Sequence, residues 1–98
     1  MKILWSPLAI DRASEIAGYI AQDNPDAAES WINTFFKRVE HLKEFPESCR
    51  ILSETDNTTI RELIYGNYRI VYRVETSKIS ILTVRHGKQL LLVDEIKA

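Results

Sequence analysis

Two short turns decide most of what this chain can fold into. Gly66-Asn67 separates the run Ile60 to Tyr65 from Tyr68 to Val74, and Thr76-Ser77 separates that second run from Lys78 to Arg85. All three runs are rich in β-branched and aromatic residues, the composition of strands. Glycine at the first central position supplies the positive φ of a type II′ turn, so Gly66-Asn67 predicts a two-residue hairpin. Three antiparallel strands follow. Side chains alternate along a strand, so tight turns also fix which residues share a face. Pairing Tyr65 with Tyr68 and Glu75 with Lys78 puts Leu63, Tyr65, Ile70, Tyr72, Val74, Ile79 and Ile81 on one face, with Arg61 and Arg85 at its margins. The other face carries Glu62, Arg69, Arg73, Ser80 and His86 among Ile60, Ile64, Val71, Leu82 and Val84.

The N-terminal half has a different period. Ser6-Pro7 is a helix start, because a serine hydroxyl can cap free amides and proline is tolerated at the first helical position. Ala9, Ala13, Ile16, Ala17 and Ile20 then recur at three- and four-residue spacings, the stripe of an amphipathic helix. Asp23-Asn24-Pro25 repeats the start signal, which ends the first helix near Ala21 and opens a second. Ala28, Ile32, Phe35, Val39 and Leu42 continue that second stripe to about Phe45, where Pro46 closes it. Trp31 and Phe36 lie beside the stripe and read as packing residues. Helices joined this tightly form an antiparallel hairpin. The polar stretch Glu47 to Thr59 reads as a loop, and Lys2 to Trp5 as a fourth strand entering the same sheet. The expected fold is α+β, in the order β-α-α-β-β-β, with the helical hairpin packed on one face of a small antiparallel sheet.

A chain of 98 residues suits one domain spanning residues 1–98, with no room for a separate cofactor domain. No apolar run approaches the ~20 residues that cross a bilayer, and Met1 to Trp5 lacks the apolar stretch of a signal peptide, so a cytoplasmic location with no membrane partner is expected. The single Cys49 suits a reducing compartment and reads as a bystander, as does His41 on the polar side of the second helix. Metal-ligand, phosphate-loop and dinucleotide motifs are all missing, so neither metal nor cofactor is expected.

Charge is distributed unevenly along the chain. Met1 to Thr58 holds six Lys/Arg against ten Asp/Glu, a net of −4, whereas Thr59 to Leu90 holds six against two, a net of +4. A localised basic surface on a chain of net charge −1 points to an anionic partner. The half-apolar, half-basic sheet face carries that charge, and no helix before Leu90 is available to cover it. An uncovered patch of this kind marks a binding site. The candidate partner-binding residues are Ile60, Glu62, Ile64, Arg69, Val71, Arg73, Leu82, Val84, Arg85, His86 and Lys88. Leu90-Leu91-Leu92-Val93 either packs on this domain or contacts a partner or a second copy.

The segments Arg61-Glu62-Leu63, Tyr68 to Val74, and Ile79 to Val84 ending in Arg85-His86-Gly87-Lys88 resemble the C-terminal half of the ParE/RelE superfamily of bacterial toxins. Trp5-Ser6-Pro7, Ala9, Ile16, Tyr19-Ile20, Asp23-Asn24-Pro25, Ala27-Ala28, Leu42 and Phe45-Pro46 resemble its ParE branch. The resemblance implies the toxin half of a type II toxin-antitoxin pair, a plasmid or chromosome maintenance module. It implies a cognate antitoxin whose flexible tail wraps the toxin, a higher-order complex of the two, and contact with nucleic acid only through antitoxin or target.

The branches differ in chemistry. RelE-like members cleave mRNA on the ribosome, which requires charge stabilisation on a phosphate and a proton donor. Arg69 matches their strand arginine, and His86 and Lys88 are the remaining candidates for a nuclease site. The further family arginine, however, falls at Gln89, and no tyrosine lies in Leu90 to Glu95. The ParE-like implication is growth inhibition by binding and poisoning DNA gyrase, without catalysis. Ribosome-dependent mRNA cleavage is the enzymatic alternative, and an attenuated, antitoxin-binding relic the structural one.

Overall fold

A computed structural model describes residues 1–87 and 93–96. The elements run β1 (Lys2–Trp5), α1 (Pro7–Asp23), α2 (Pro25–Glu40), a 3-10 turn (His41–Lys43), β2 (Arg50–Ile51), β3 (Ile60–Tyr65), β4 (Tyr68–Val74), β5 (Lys78–His86) and α3 (Val93–Ile96). The architecture is the expected α+β one, with two helices on a mostly antiparallel five-stranded sheet of order β1-β5-β4-β3-β2. β1 runs parallel to β5, and the helical hairpin forms part of the long connection that a parallel neighbour requires.

Both helix starts are built as their sequences predict. The Ser6 hydroxyl accepts from the Ala9 amide at 3.0 Å and the Asn24 side chain from the Ala27 amide at 3.0 Å, each followed by proline in the first turn. The Asn24 amide also donates to the Ile20 carbonyl at 3.0 Å, so one residue closes α1 and opens α2. This dual use extends α1 to Asp23, two residues beyond the expected end. α2 stops earlier than expected, at Glu40, and the chain reaches Pro46 through the 3-10 turn. Gly66 has φ +57° and Asn67 does not share its positive φ, in keeping with a type II′ hairpin.

The helices and one sheet face enclose the main core: Ala9 and Ala13 of α1, Phe35 and Val39 of α2, Leu42, and Leu63, Ile70, Tyr72, Ile79, Ile81 and Val84 of the sheet. Fully burying an aliphatic or aromatic side chain of this kind contributes about 1.5 to 3 kcal/mol. Trp31 stacks on Phe35 and on Tyr65 at centroid distances of 5.2 and 5.6 Å, with those two rings 6.4 Å from each other, and the Tyr65 hydroxyl donates to the Trp31 carbonyl at 3.1 Å. Phe36 packs edge-on to Trp5 but remains exposed. Burial pushes the Tyr72 phenol up from its ordinary pKa, and its hydroxyl donates to the Pro46 carbonyl at 3.1 Å.

Three features depart from expectation. β2 lies within the stretch read as a loop; its two residues pair with Arg61 and Glu62 and are too few to show a period. β5 carries one extra residue: Tyr72 pairs with Ile81 but Val71 pairs with Thr83, leaving Leu82 as a β-bulge. The third departure is at the second sheet face, which is covered. Leu52, from the segment after β2, and Ile96, from α3, close over Ile60, Val71 and Leu82 in a second apolar cluster.

Candidate partner-binding face

The residues expected to form an exposed binding face divide into three groups. Ile60, Val71 and Leu82 lie on the expected face but are buried in the second cluster. Glu62 and Arg69 lie on it too, at 2% and 9% exposure. Arg73 is half-buried and donates to the Ile96 carbonyl at 3.1 Å. Among the described residues of that face only Ile64, at 41% exposure, is open as expected. The bulge accounts for the second group. Strict alternation sends Val84 and His86 to the binding face and Arg85 to the helix side, and one extra residue reverses all three. Val84 joins the main core opposite Ile70, Arg85 sits opposite Arg69, and His86 pairs with Tyr68 and stands edge-on to its ring at 5.7 Å. Lys88, Gln89 and the Leu90 to Leu92 part of the apolar run lie outside the described residues.

Arg69 is the centre of a charge network rather than a free cation. Its two terminal nitrogens meet the Glu54 carboxylate at 2.6 and 2.7 Å, and one of them also meets Glu62 at 2.7 Å. Arg50 holds the other oxygen of Glu62, with bonds of 3.0 and 2.6 Å. Hydrogen bonds from Arg69 hold the Glu54 carboxyl below the usual glutamate range, against the opposing effect of burial. The same pairing raises the guanidinium pKa of Arg69. A buried glutamate is tolerated only with such partners, and Glu62 has two.

A second network fixes α3. Glu95, 5% exposed, meets Arg12 at 3.1 Å and the Thr83 hydroxyl at 3.0 Å through one oxygen, and Arg85 at 3.3 Å through the other. Arg12 can reach because β1 ends opposite Ile81. There Ser6 takes over: its amide donates to the Ile81 carbonyl at 3.0 Å and its hydroxyl to the Leu82 carbonyl at 2.7 Å, and α1 begins beside the upper half of β5.

Arg12, Arg50, Glu54, Thr83 and Glu95 escaped the reading of the sequence. The one available signal was the excess positive charge of residues 59–90, which has to find carboxylates from outside that segment; Glu54 and Glu95 are two of them. Among the described residues no three His, Cys, Asp or Glu side chains gather as a metal site, and no helix is long and apolar enough to cross a membrane.

The family model of the ParE toxin of type II toxin-antitoxin systems matches residues 3–91. The chain belongs to the ParE toxin family. Among curated relatives, this ParE-family chain is 36% identical over 90 residues to a putative toxin, Y4kP, of Sinorhizobium fredii, covering 90% of both chains. It is 29% identical over 90 residues to Toxin RelE2 of Caulobacter vibrioides, covering 91% of this chain and 98% of that one. A chain from the chromosomal ParDE toxin-antitoxin system of P. aeruginosa superposes with a TM-score of 0.73 at 18% identity, covering 90% of this chain and 97% of that one. At that identity the superposition speaks for the fold.

Proposed function

We propose that this ParE-family toxin stops bacterial growth by binding DNA gyrase in the cytoplasm and is neutralised by a cognate antitoxin protein. The observation that carries binding over cleavage is the state of Arg69. A nuclease needs this guanidinium for a scissile phosphate, whereas here it is 9% exposed and held by two carboxylates. His86, the candidate proton donor, stands on Tyr68 toward the other face. The proposed partner-binding face is the far side of the sheet. Ile64 and Arg85 lie at its rim, Ile60, Val71 and Leu82 lie beneath Leu52 and Ile96, Glu62 and Arg69 are held by Arg50 and Glu54, and Arg73 meets the Ile96 carbonyl.

The likeness to a relative named RelE2 keeps ribosome-dependent mRNA cleavage as the second reading, and one experiment separates the two. Purified toxin is added to a gyrase supercoiling assay and, in parallel, to a translation reaction with intact ribosomes and a labelled mRNA. Inhibited supercoiling with full-length mRNA is expected. Shortened mRNA only when ribosomes are present, with unaffected supercoiling, overturns the gyrase reading.

A further inference from the structure

The two covers of the far sheet face use the same pair of chemical groups. The segment after β2 puts Leu52 into the second apolar cluster and sets Glu54 on Arg69. α3 puts Ile96 into that cluster and sets Glu95 among Arg12, Thr83 and Arg85. Each brings one branched aliphatic side chain and one carboxylate. α3 has four residues, far short of the ~12 that hold a helix together in water, so its place depends on what it touches. The groups that receive Glu95 belong to the permanent frame: Arg12 to α1, Thr83 and Arg85 to a strand inside the sheet.

We infer that the pocket of Arg12, Thr83 and Arg85, with the apolar cluster beside it, recognises a protein segment carrying an acidic residue next to a branched aliphatic one, and that Glu95 and Ile96 occupy it in cis. The Thr83 hydroxyl bonds the carboxylate and the Arg12 and Arg85 guanidinium groups stand 3.1 and 3.3 Å from it, a charge-matched setting that selects the acid, and the cluster formed by Leu52, Ile60, Val71 and Leu82 selects the aliphatic neighbour. A nucleic acid matches this site poorly, since it carries phosphates but no branched aliphatic side chain. The inference rests on the reading that this face receives a partner, and adds the chemistry the partner must bring. A tethered competitor acts at an effective concentration on the order of mM. An incoming segment therefore binds with an apparent affinity lowered by the fraction of time the site stands open.

The test uses the full chain and, as probe, a fluorescein-labelled peptide of its own residues 88–98, with a second peptide in which Glu95 is replaced by Gln. Wild-type protein is expected to bind neither peptide, because its site is filled. The double variant Glu95→Gln, Ile96→Ala is expected to bind the unsubstituted peptide at least about tenfold more tightly than the Gln peptide, a ratio typical of a lost charge-assisted bond. The unsubstituted peptide is also expected to raise the Tm of that variant. A folded variant that binds neither peptide, or both equally, overturns the inference, as does wild-type protein binding as well as the variant. If the double variant does not fold, Glu95→Gln alone replaces it. Should that also fail to fold, residues 93–96 are a fixed part of the domain, and the inference is overturned as well. The assay contains neither gyrase nor antitoxin, so its failure leaves the gyrase reading standing, and failed gyrase inhibition does not bear on peptide binding.

Discussion

Glu54 and Arg69 stand 15 residues apart in the chain and meet through two hydrogen bonds of 2.6 and 2.7 Å. The contact pins the segment leading into β3 against the sheet and leaves the Arg69 side chain only 11% exposed. Arg69→Ala therefore removes a support of the fold and not a surface charge. It strands Glu62, whose side chain is 1% exposed, with only the solvent-facing Arg50 as partner. A loss of about 3 kcal/mol is expected, at the low end for breaking a buried pair. Arg50→Ala should cost no more than about 1 kcal/mol. Urea unfolding of the two variants measures the difference, and equal stabilities would show that Arg69 carries no such load.

The same contact gives stability an acid limb. The folded-state pKa of Glu54 is lowered, so its contribution is fully present above the ordinary glutamate value of ~4.3. It is lost as pH falls through the lowered folded value. Thermal melts across that range should show wild-type Tm falling with acidification, and Glu54→Gln should flatten part of the fall. Identical slopes for the two proteins would assign the acid limb to other groups.

The main core should respond to truncation as a close-packed interior does. Ile70→Ala, at a position with 0% exposure, is expected to destabilise by roughly 2 to 5 kcal/mol. Tyr72→Phe keeps the ring and removes only the hydroxyl that donates to the Pro46 carbonyl, so about 1 kcal/mol is expected. Chemical denaturation reads both, and a Tyr72→Phe loss as large as that of Ile70→Ala would mean that the hydroxyl bond holds the whole 46–50 segment in place.

Induced expression of this chain alone should halt bacterial growth, and coexpression of the adjacent reading frame should restore it. Colony counts with expression verified by blot give the answer. Normal growth at high expression of folded protein would favour an attenuated, antitoxin-binding relic.

What was legible in the sequence is what neighbouring residues decide among themselves. Ser6-Pro7 and Asn24-Pro25 cap their helices locally, Gly66 makes its turn locally, and the α1 and α2 stripes follow from spacing. The β3–β4 register came out residue for residue, because a two-residue hairpin leaves no slack. Beyond these, distant partners decide. Four residues of α3 show no period, and their position depends on Arg12, Arg73, Thr83 and Arg85. The exposed arginine face expected from alternation failed at Arg69 for a similar reason. Its neutralising carboxylates sit 15 and 7 residues away, and one of them lies in a loop.

Leu82 acts on the sheet as a single inserted letter acts on a message read in pairs. Ahead of it Ile79 and Ile81 are read into the main core, and behind it Val84 is, so that odd numbers give way to even ones within one strand. The serine 76 residues upstream marks the spot, with its hydroxyl on the Leu82 carbonyl. Deleting Leu82 would leave Val84 in the core and Arg85 outside, whereas a strand that kept Leu82 but paired without the bulge would turn the Arg85 guanidinium toward Phe35 and Ile70 and the Val84 side chain outward. The charged rim and the oily interior of this small protein are thus kept apart by the parity of one residue.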